Sequence, residues 1–242
     1  MQYAGKVNAL LLDLDDTLLD YSGGADESWR QACATCCAPV GLDVEILMKA
    51  LIDTRQWFWS DASRHREERV NMVRAWQRIA GHALQSLGVA GDGLDAAMAR
   101  EYAARRRAVM RLFSDALETL ECLRARGVPL GLVTNGDAGQ QRDKIERFEL
   151  APFFEVIVIE GEFGAGKPDE TVYRHALDRL GVAPGQASMV GDHLEFDVAG
   201  PQRLGLRGIW LDRPGAGLAD SAVRPHQIIR SLRELTEPTP AG

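Results

Sequence analysis

Asp13-Leu14-Asp15-Asp16-Thr17 closes the apolar run VNALLLDL of residues 7–14 and sets three carboxylates where a hydrophobic strand would end. Such a step is costly unless a cation or a proton neutralises the acids. In an extended chain Asp13 and Asp15 point to the same side. Two like charges that close favour a shared proton or a hard cation with oxygen ligands. A solvated aspartate-rich turn is the plainer alternative.

Val190-Gly191-Asp192-His193-Leu194-Glu195-Phe196-Asp197 repeats the pattern. Asp192 offers a third metal carboxylate, and Asp197 suits orienting the loop or a lysine. His193 reads as a loop residue, because a set of aspartates selects Mg²⁺ over metals that prefer imidazole. Val133-Thr134-Asn135-Gly136 offers a hydroxyl and successive backbone N–H groups, a small anion cradle. The same tripeptide is also ordinary turn chemistry.

Gly161 to Lys167 has the spacing of a nucleotide-binding P-loop, but Pro168 stands where that loop needs Ser or Thr. What survives is a lysine in a glycine-rich loop, suited to neutralising a carboxylate or phosphate. Cys33, Cys36 and Cys37 lack a second Cys/His pair at zinc-ligand spacing. With Trp29 and Ala32 they form one apolar helical stripe, so core packing is expected.

These groups need elements to position them. Further apolar runs at 128–134, 154–159, 188–191 and 208–211 read as buried strands. Helical patterns at 117–126 and 172–180, each stopped by a glycine, lie between them. Strands alternating with helices predict an α/β core with a parallel sheet. Its strand ends carry Asp13/Asp15, Thr134/Asn135, Lys167 and Asp192/Asp197, which converge on one rim. Between residues 20 and 112 the texture is helical. Val44, Leu47, Met48 and Leu51 form one stripe; Met72, Val73, Trp76, Ile79, Ala80, Ala83 and Leu84 form another. With the Trp29 helix and a Leu94–Met98–Tyr102 pattern, about four helices are expected, entered through Tyr21-Ser22-Gly23-Gly24. The tail from Glu237 to Gly242 is Pro-rich and expected to fray.

The ordered set D-x-D-x-T (Asp13, Asp15, Thr17), T-N (Thr134, Asn135), K-P (Lys167, Pro168) and G-D-x-x-x-x-D (Gly191, Asp192, Asp197) resembles the haloacid dehalogenase superfamily over nearly the whole chain. The resemblance implies a Rossmann-like parallel sheet sandwiched by helices, residues 1–20 and 113–242, with an inserted four-helix cap, residues 21–112. It implies Asp13 as nucleophile forming an aspartyl-phosphate, and Asp15 as proton donor and then acceptor. It implies Mg²⁺ held by Asp13, Asp192 and the backbone carbonyl of Asp15. Thr134, Asn135, Gly136 and Lys167 would hold the phosphoryl group, with Asp197 and Thr17 in support. Halide release needs neither a proton nor a dication, so retention of Asp15 and Asp192 favours a phosphatase of small phosphate monoesters. A sugar phosphomutase, a hydrolytic dehalogenase, or a non-catalytic phosphoacceptor or binding protein are the alternatives.

The cap is expected to choose the substrate. Trp57 to Arg66, aromatic and then basic, could bring Arg64, His65 or Arg66 to it; a helix end followed by a charged turn is the plainer reading. Arg105-Arg106-Arg107 reads as a solvated helix face.

Bulk composition sets the outer limits. The 242 residues are 45% hydrophobic and 26% charged, with a formal charge of -7, a globular balance that lacks the basic footprint of nucleic-acid or anionic-membrane binders. No apolar run approaches the ~18 residues of a membrane span. Aspartates interrupt the first apolar stretch before a secretory leader could form, so a cytoplasmic monomer or homodimer is expected.

Overall fold

The computed structural model describes residues 9–90, 92–218 and 221–237. Val7 and Asn8 of the first expected strand, and 238–242 of the expected frayed tail, lie outside them. The chain forms two compact units, Tyr21–Met110 and Met1–Asp20 with Arg111–Gly242.

The inserted unit holds five α-helices among the described residues: α1 (Ala25–Cys37), α2 (Val44–Ser60), α3 (Ala62–Glu68), α4 (Met72–Ser86) and α5 (Leu94–Val109). The helix beyond the expected four is α3. Asp61, with extended backbone, ends α2 and caps α3 by accepting the Arg64 N–H. The core joins Trp29, Cys33 and Cys37 of α1 to Leu47, Leu51 and Phe58 of α2, Ile79 and Ala83 of α4, and Met98 of α5. Tyr102 stacks on Trp29 at 4.0 Å and meets Trp76 edge-on at 4.9 Å. All four cysteines are free thiols. Burial pushes the Cys33 thiol up to about 12, as expected of a small hydrophobe rather than a metal ligand.

Two expectations for this unit change, those for Val73 and Arg106. Val73 is exposed, because the stripe of α4 turns Trp76, Ile79, Ala80, Ala83 and Leu84 inward without it. Arg106 is buried, donating to the Gly23 carbonyl at 2.8 Å and lying 4.9 Å from the Tyr21 ring. Arg64 follows the plainer reading of a helix end: it donates to the carbonyls of Phe58 and Trp57 and stacks 4.2 Å from the Trp57 ring.

Among the described residues the other unit holds a six-stranded, wholly parallel sheet: β1 (Ala9–Leu12), β2 (Leu130–Thr134), β3 (Val156–Ile159), β4 (Ala187–Gly191), β5 (Arg207–Leu211) and β6 (Gln227–Ile229). The order is β3-β2-β1-β4-β5-β6. Its helices are α6 (Ala116–Ala125), α7 (Ala138–Arg147), α8 (Glu160–Phe163), α9 (Glu170–Leu180) and α10 (Gly200–Leu204), with one π-helical turn over Leu194–Ala199.

Every residue of β1, β2 and β4 is buried. Successive side chains point to opposite faces, so both faces of the central sheet are covered. Leu10 stands opposite Leu130 on one side and Ser188 on the other, which fixes β1 at the middle. The chain returns from the helical unit at Arg111, whose carbonyl accepts the Asp20 N–H at 2.9 Å. That return comes two residues before the expected position. β6 was not expected; it is a three-residue edge strand paired with β5.

Candidate active site

The ladder between β1 and β4 continues one residue past β1, where the Asp13 N–H donates to the Val190 carbonyl at 3.0 Å. That bond fixes the Asp13 backbone at the rim. Beyond it the chain turns back, with Asp16 at a positive φ of 56° and the Leu18 and Leu19 N–H groups donating to the Leu14 carbonyl. The turn brings the buried Thr17 hydroxyl to 3.4 Å from Asp13 Oδ2.

Lys167 arrives from the loop between α8 and α9. Its Nζ lies 2.7 Å from Asp13 Oδ1 and 2.6 Å from Asp197 Oδ1, and the residue is 2% exposed. The P-loop reading therefore fails on geometry as well as on Pro168: the ammonium faces two carboxylates. Asp197 is anchored at its other oxygen by the His193 N–H at 3.0 Å. It lies against Gly191, where a Cβ would come within 2.3 Å of the Asp197 carboxyl carbon. Glycine is the residue that fits there. His193 stacks on Phe196 at 3.9 Å, as a loop residue would.

Oxygens of Asp13, Asp192 and Asp197 all lie within 4.8 Å of one another. Burial raises the pKa of Asp13, and the neighbouring Asp197 adds to the rise while Lys167 opposes it. Asp192 is likewise raised by burial and then by Asp13 and Asp197. Lys167 is held cationic because its two carboxylate partners outweigh its own burial. Once Asp13 and Asp192 lose their protons, three carboxylates against one ammonium carry a double negative charge, and the donors are all oxygen. That set fits a hard divalent cation. Both oxygens of Asp197 are engaged, by Lys167 and by the His193 N–H. The Trp210 indole N–H, from β5, donates to the Asp192 carbonyl at 2.7 Å and steadies that loop.

Asp15 does not share this cluster through its side chain, although in an extended segment it was expected on the same side as Asp13. The turn at Asp16 directs it to α7. Lys144 Nζ lies 2.8 Å from each Asp15 oxygen, and Gln141 Nε2 lies 3.0 Å from Asp15 Oδ2. The same Gln141 amide donates to Thr134 Oγ1 at 2.7 Å. Gln141 and Lys144 were not anticipated, since polar residues on a helix read as solvated. Their spacing of three, one turn past the Thr134-Asn135 strand end, was the available signal.

Groups around the expected anion cradle make bonds within the chain. Asn135 spends both ends of its amide on the Lys167 backbone, donating to the carbonyl at 2.8 Å and accepting the N–H at 2.7 Å. It therefore positions the lysine loop with its side chain. The Gly136 N–H donates to the carboxylate of the buried Glu160 at 2.9 Å, so a carboxylate stands where an anion was expected. Gly136 also has a φ of 119°, a conformation that favours glycine. Thr134 remains at the rim, buried at the end of β2.

The sequence profile of haloacid dehalogenase-like hydrolases matches residues 7–205. A phosphoserine phosphatase of Thermus thermophilus is 33% identical over 250 residues, covering 93% of this chain and 96% of the relative. A glyceraldehyde 3-phosphate phosphatase of Methanopyrus kandleri is 30% identical over 245 residues, covering 96% of this chain and 99% of the relative. Among solved structures, a 2-haloacid dehalogenase of Pseudomonas syringae superposes with a TM-score of 0.64 at 29% identity, covering 94% of this chain and 96% of the other. The chain belongs to the haloacid dehalogenase-like hydrolase family.

Proposed function

We propose that this chain is a Mg²⁺-dependent phosphatase of small phosphate monoesters, acting through an aspartyl-phosphate on Asp13. The observation that carries the reading is the buried group of Asp13, Lys167, Asp192 and Asp197, with a further carboxylate, Asp15, two residues from Asp13. Halide leaves without a proton, so a dehalogenase would not need Asp15 as the acid for a leaving group. The two curated relatives, a phosphoserine phosphatase and a glyceraldehyde 3-phosphate phosphatase, both act on small phosphate monoesters.

In this reading Asp13 attacks phosphorus and displaces the leaving oxygen. Thr134 Oγ1 accepts from Gln141, and its hydroxyl, which lies 3.4 Å from the Asn135 carbonyl, would turn its proton to a phosphoryl oxygen. Lys167 stays beside Asp13 and offsets the charge that builds up there. Asp15 gives a proton to the leaving alkoxide and then takes one from the water that cleaves the aspartyl-phosphate. Mg²⁺ would be held by Asp13, Asp192 and the Asp15 backbone carbonyl, and the chemistry it supplies is charge neutralisation between carboxylate and phosphate. Thr17 supports Asp13, and Asp197 supports Lys167.

The unit Tyr21–Met110 would serve as the cap that selects among phosphate esters. No described helix is long and apolar enough to cross a membrane. Four free thiols fit a reducing compartment, the cytoplasm, where the enzyme would act as a monomer or homodimer. The test is inorganic phosphate release from a panel of phosphate monoesters, with and without Mg²⁺, for wild type and Asp13→Asn. Metal-dependent turnover lost in the variant is expected; equal release by both proteins would overturn the assignment.

A further inference from the structure

Two side chains of one helix connect Asp15 to Thr134. Lys144 Nζ reaches both Asp15 oxygens at 2.8 Å and Gln141 Oε1 at 2.7 Å. Gln141 Nε2 reaches Asp15 Oδ2 at 3.0 Å and Thr134 Oγ1 at 2.7 Å. The two residues lie three apart on one face of α7 and are nearly fully buried, at 2% and 5% exposure. The Asp137 side chain caps this helix by accepting the Gln140 N–H at 2.8 Å, which fixes the turn that carries Gln141.

We infer that Gln141 and Lys144 are positioning residues for proton transfer. They fix the Asp15 carboxylate relative to Thr134, and hence relative to the phosphoryl group that Thr134 binds. A lysine alone would neutralise Asp15 and leave its oxygens free to turn. Lys144 together with Gln141 holds both oxygens in one orientation, and Gln141 ties that orientation to the threonine. A misplaced proton donor loses most of its effect, because proton transfer needs hydrogen-bond reach. The inference rests on the phosphatase reading above.

The test compares leaving groups. The ratio kcat/KM reports steps through departure of the leaving group. An alkoxide needs the proton that Asp15 delivers, whereas 4-nitrophenolate departs without one. In Lys144→Met and Gln141→Met, kcat/KM for L-phosphoserine is expected to fall about 10²-fold, and about tenfold further than for 4-nitrophenyl phosphate. On an Asp15→Asn background, adding Lys144→Met should cost the alkyl ester less than about threefold, because the partner through which it acts is already gone. Thermal unfolding checks that each variant is folded, and two variants guard against failure of one. Equal losses on both esters, or a full additional loss on the Asp15→Asn background, would overturn the inference. Undiminished turnover by Asp13→Asn would instead overturn the phosphatase reading itself, so the two failures are distinguishable. If wild type cleaves only the aryl ester, glycerol phosphates replace phosphoserine; cleavage of no alkyl ester overturns the inference.

Discussion

Lys167 Nζ lies 2.7 Å from Asp13 Oδ1 in a site where the lysine is only 2% exposed. The ammonium is what allows Asp13 to sit beside Asp197 in a buried rim. Lys167→Met removes it and leaves two buried carboxylates without their shared cation. Breaking a buried pair in this way costs about 3–5 kcal/mol. Unfolding in urea should show that loss, and phosphate release should fall to background. A variant of wild-type stability would contradict the charge accounting.

Asp13 and Asp192 are both raised by burial first and by neighbouring carboxylates next. A carboxylate whose folded pKa lies above its unfolded one favours the folded state at low pH. That advantage is lost as pH rises from the ordinary carboxylate range, near 4, through the raised values. Without metal, stability should therefore decline toward neutral and alkaline pH. Mg²⁺ competes with those protons, so its stabilising shift in Tm should grow between about pH 5 and pH 8. Thermal unfolding with and without Mg²⁺ across that range checks this; a shift independent of pH would contradict it.

Asp115 joins three segments of the sheet unit. Its carboxylate receives both terminal nitrogens of Arg213 at 3.0 Å, the Ser231 hydroxyl at 2.8 Å and the Leu232 N–H at 2.8 Å. Arg213 also donates to the Thr17 carbonyl at 2.8 Å, in the turn that follows Asp13. Burial alone would raise the Asp115 pKa, but the bonds from Arg213, Ser231 and Leu232 lower it. Its stabilising effect is thus present above the unfolded carboxylate pKa and lost as pH falls through the lower folded value. Asp115→Ala should cost about 3 kcal/mol at pH 7. The difference from wild type should narrow in acid, which urea unfolding at two pH values would reveal.

The family and the residues that meet at the rim were legible because most of the motifs are local: a buried apolar run that breaks into aspartate or threonine at a strand end. Asp13, Thr134 and Asp192 could be found that way without knowing the sheet order, and Lys167 through its own glycine-rich K-P loop. Residues that act through tertiary contacts left weaker marks. Gln141 and Lys144 lie on a helix whose polar residues resemble a solvent face, and Glu160 sits at the end of an apolar run with no hint of Gly136. Arg106 was misread because a run of three arginines does not show which one turns inward. β6 escaped because, of its three residues, only Ile229 is buried. α3 escaped because the chain stays polar and helix-prone across Asp61, and the break is made by one capping side chain.

The most direct test of the central claim is to quench the enzyme with acid during turnover of a phosphate monoester and map the peptides by mass spectrometry. The account predicts one phosphoryl group on the peptide that carries Asp13, formed with Mg²⁺ present and absent in Asp13→Asn. A phosphoryl group on another residue, or steady turnover with no phosphorylated peptide and full activity in Asp13→Asn, would contradict it.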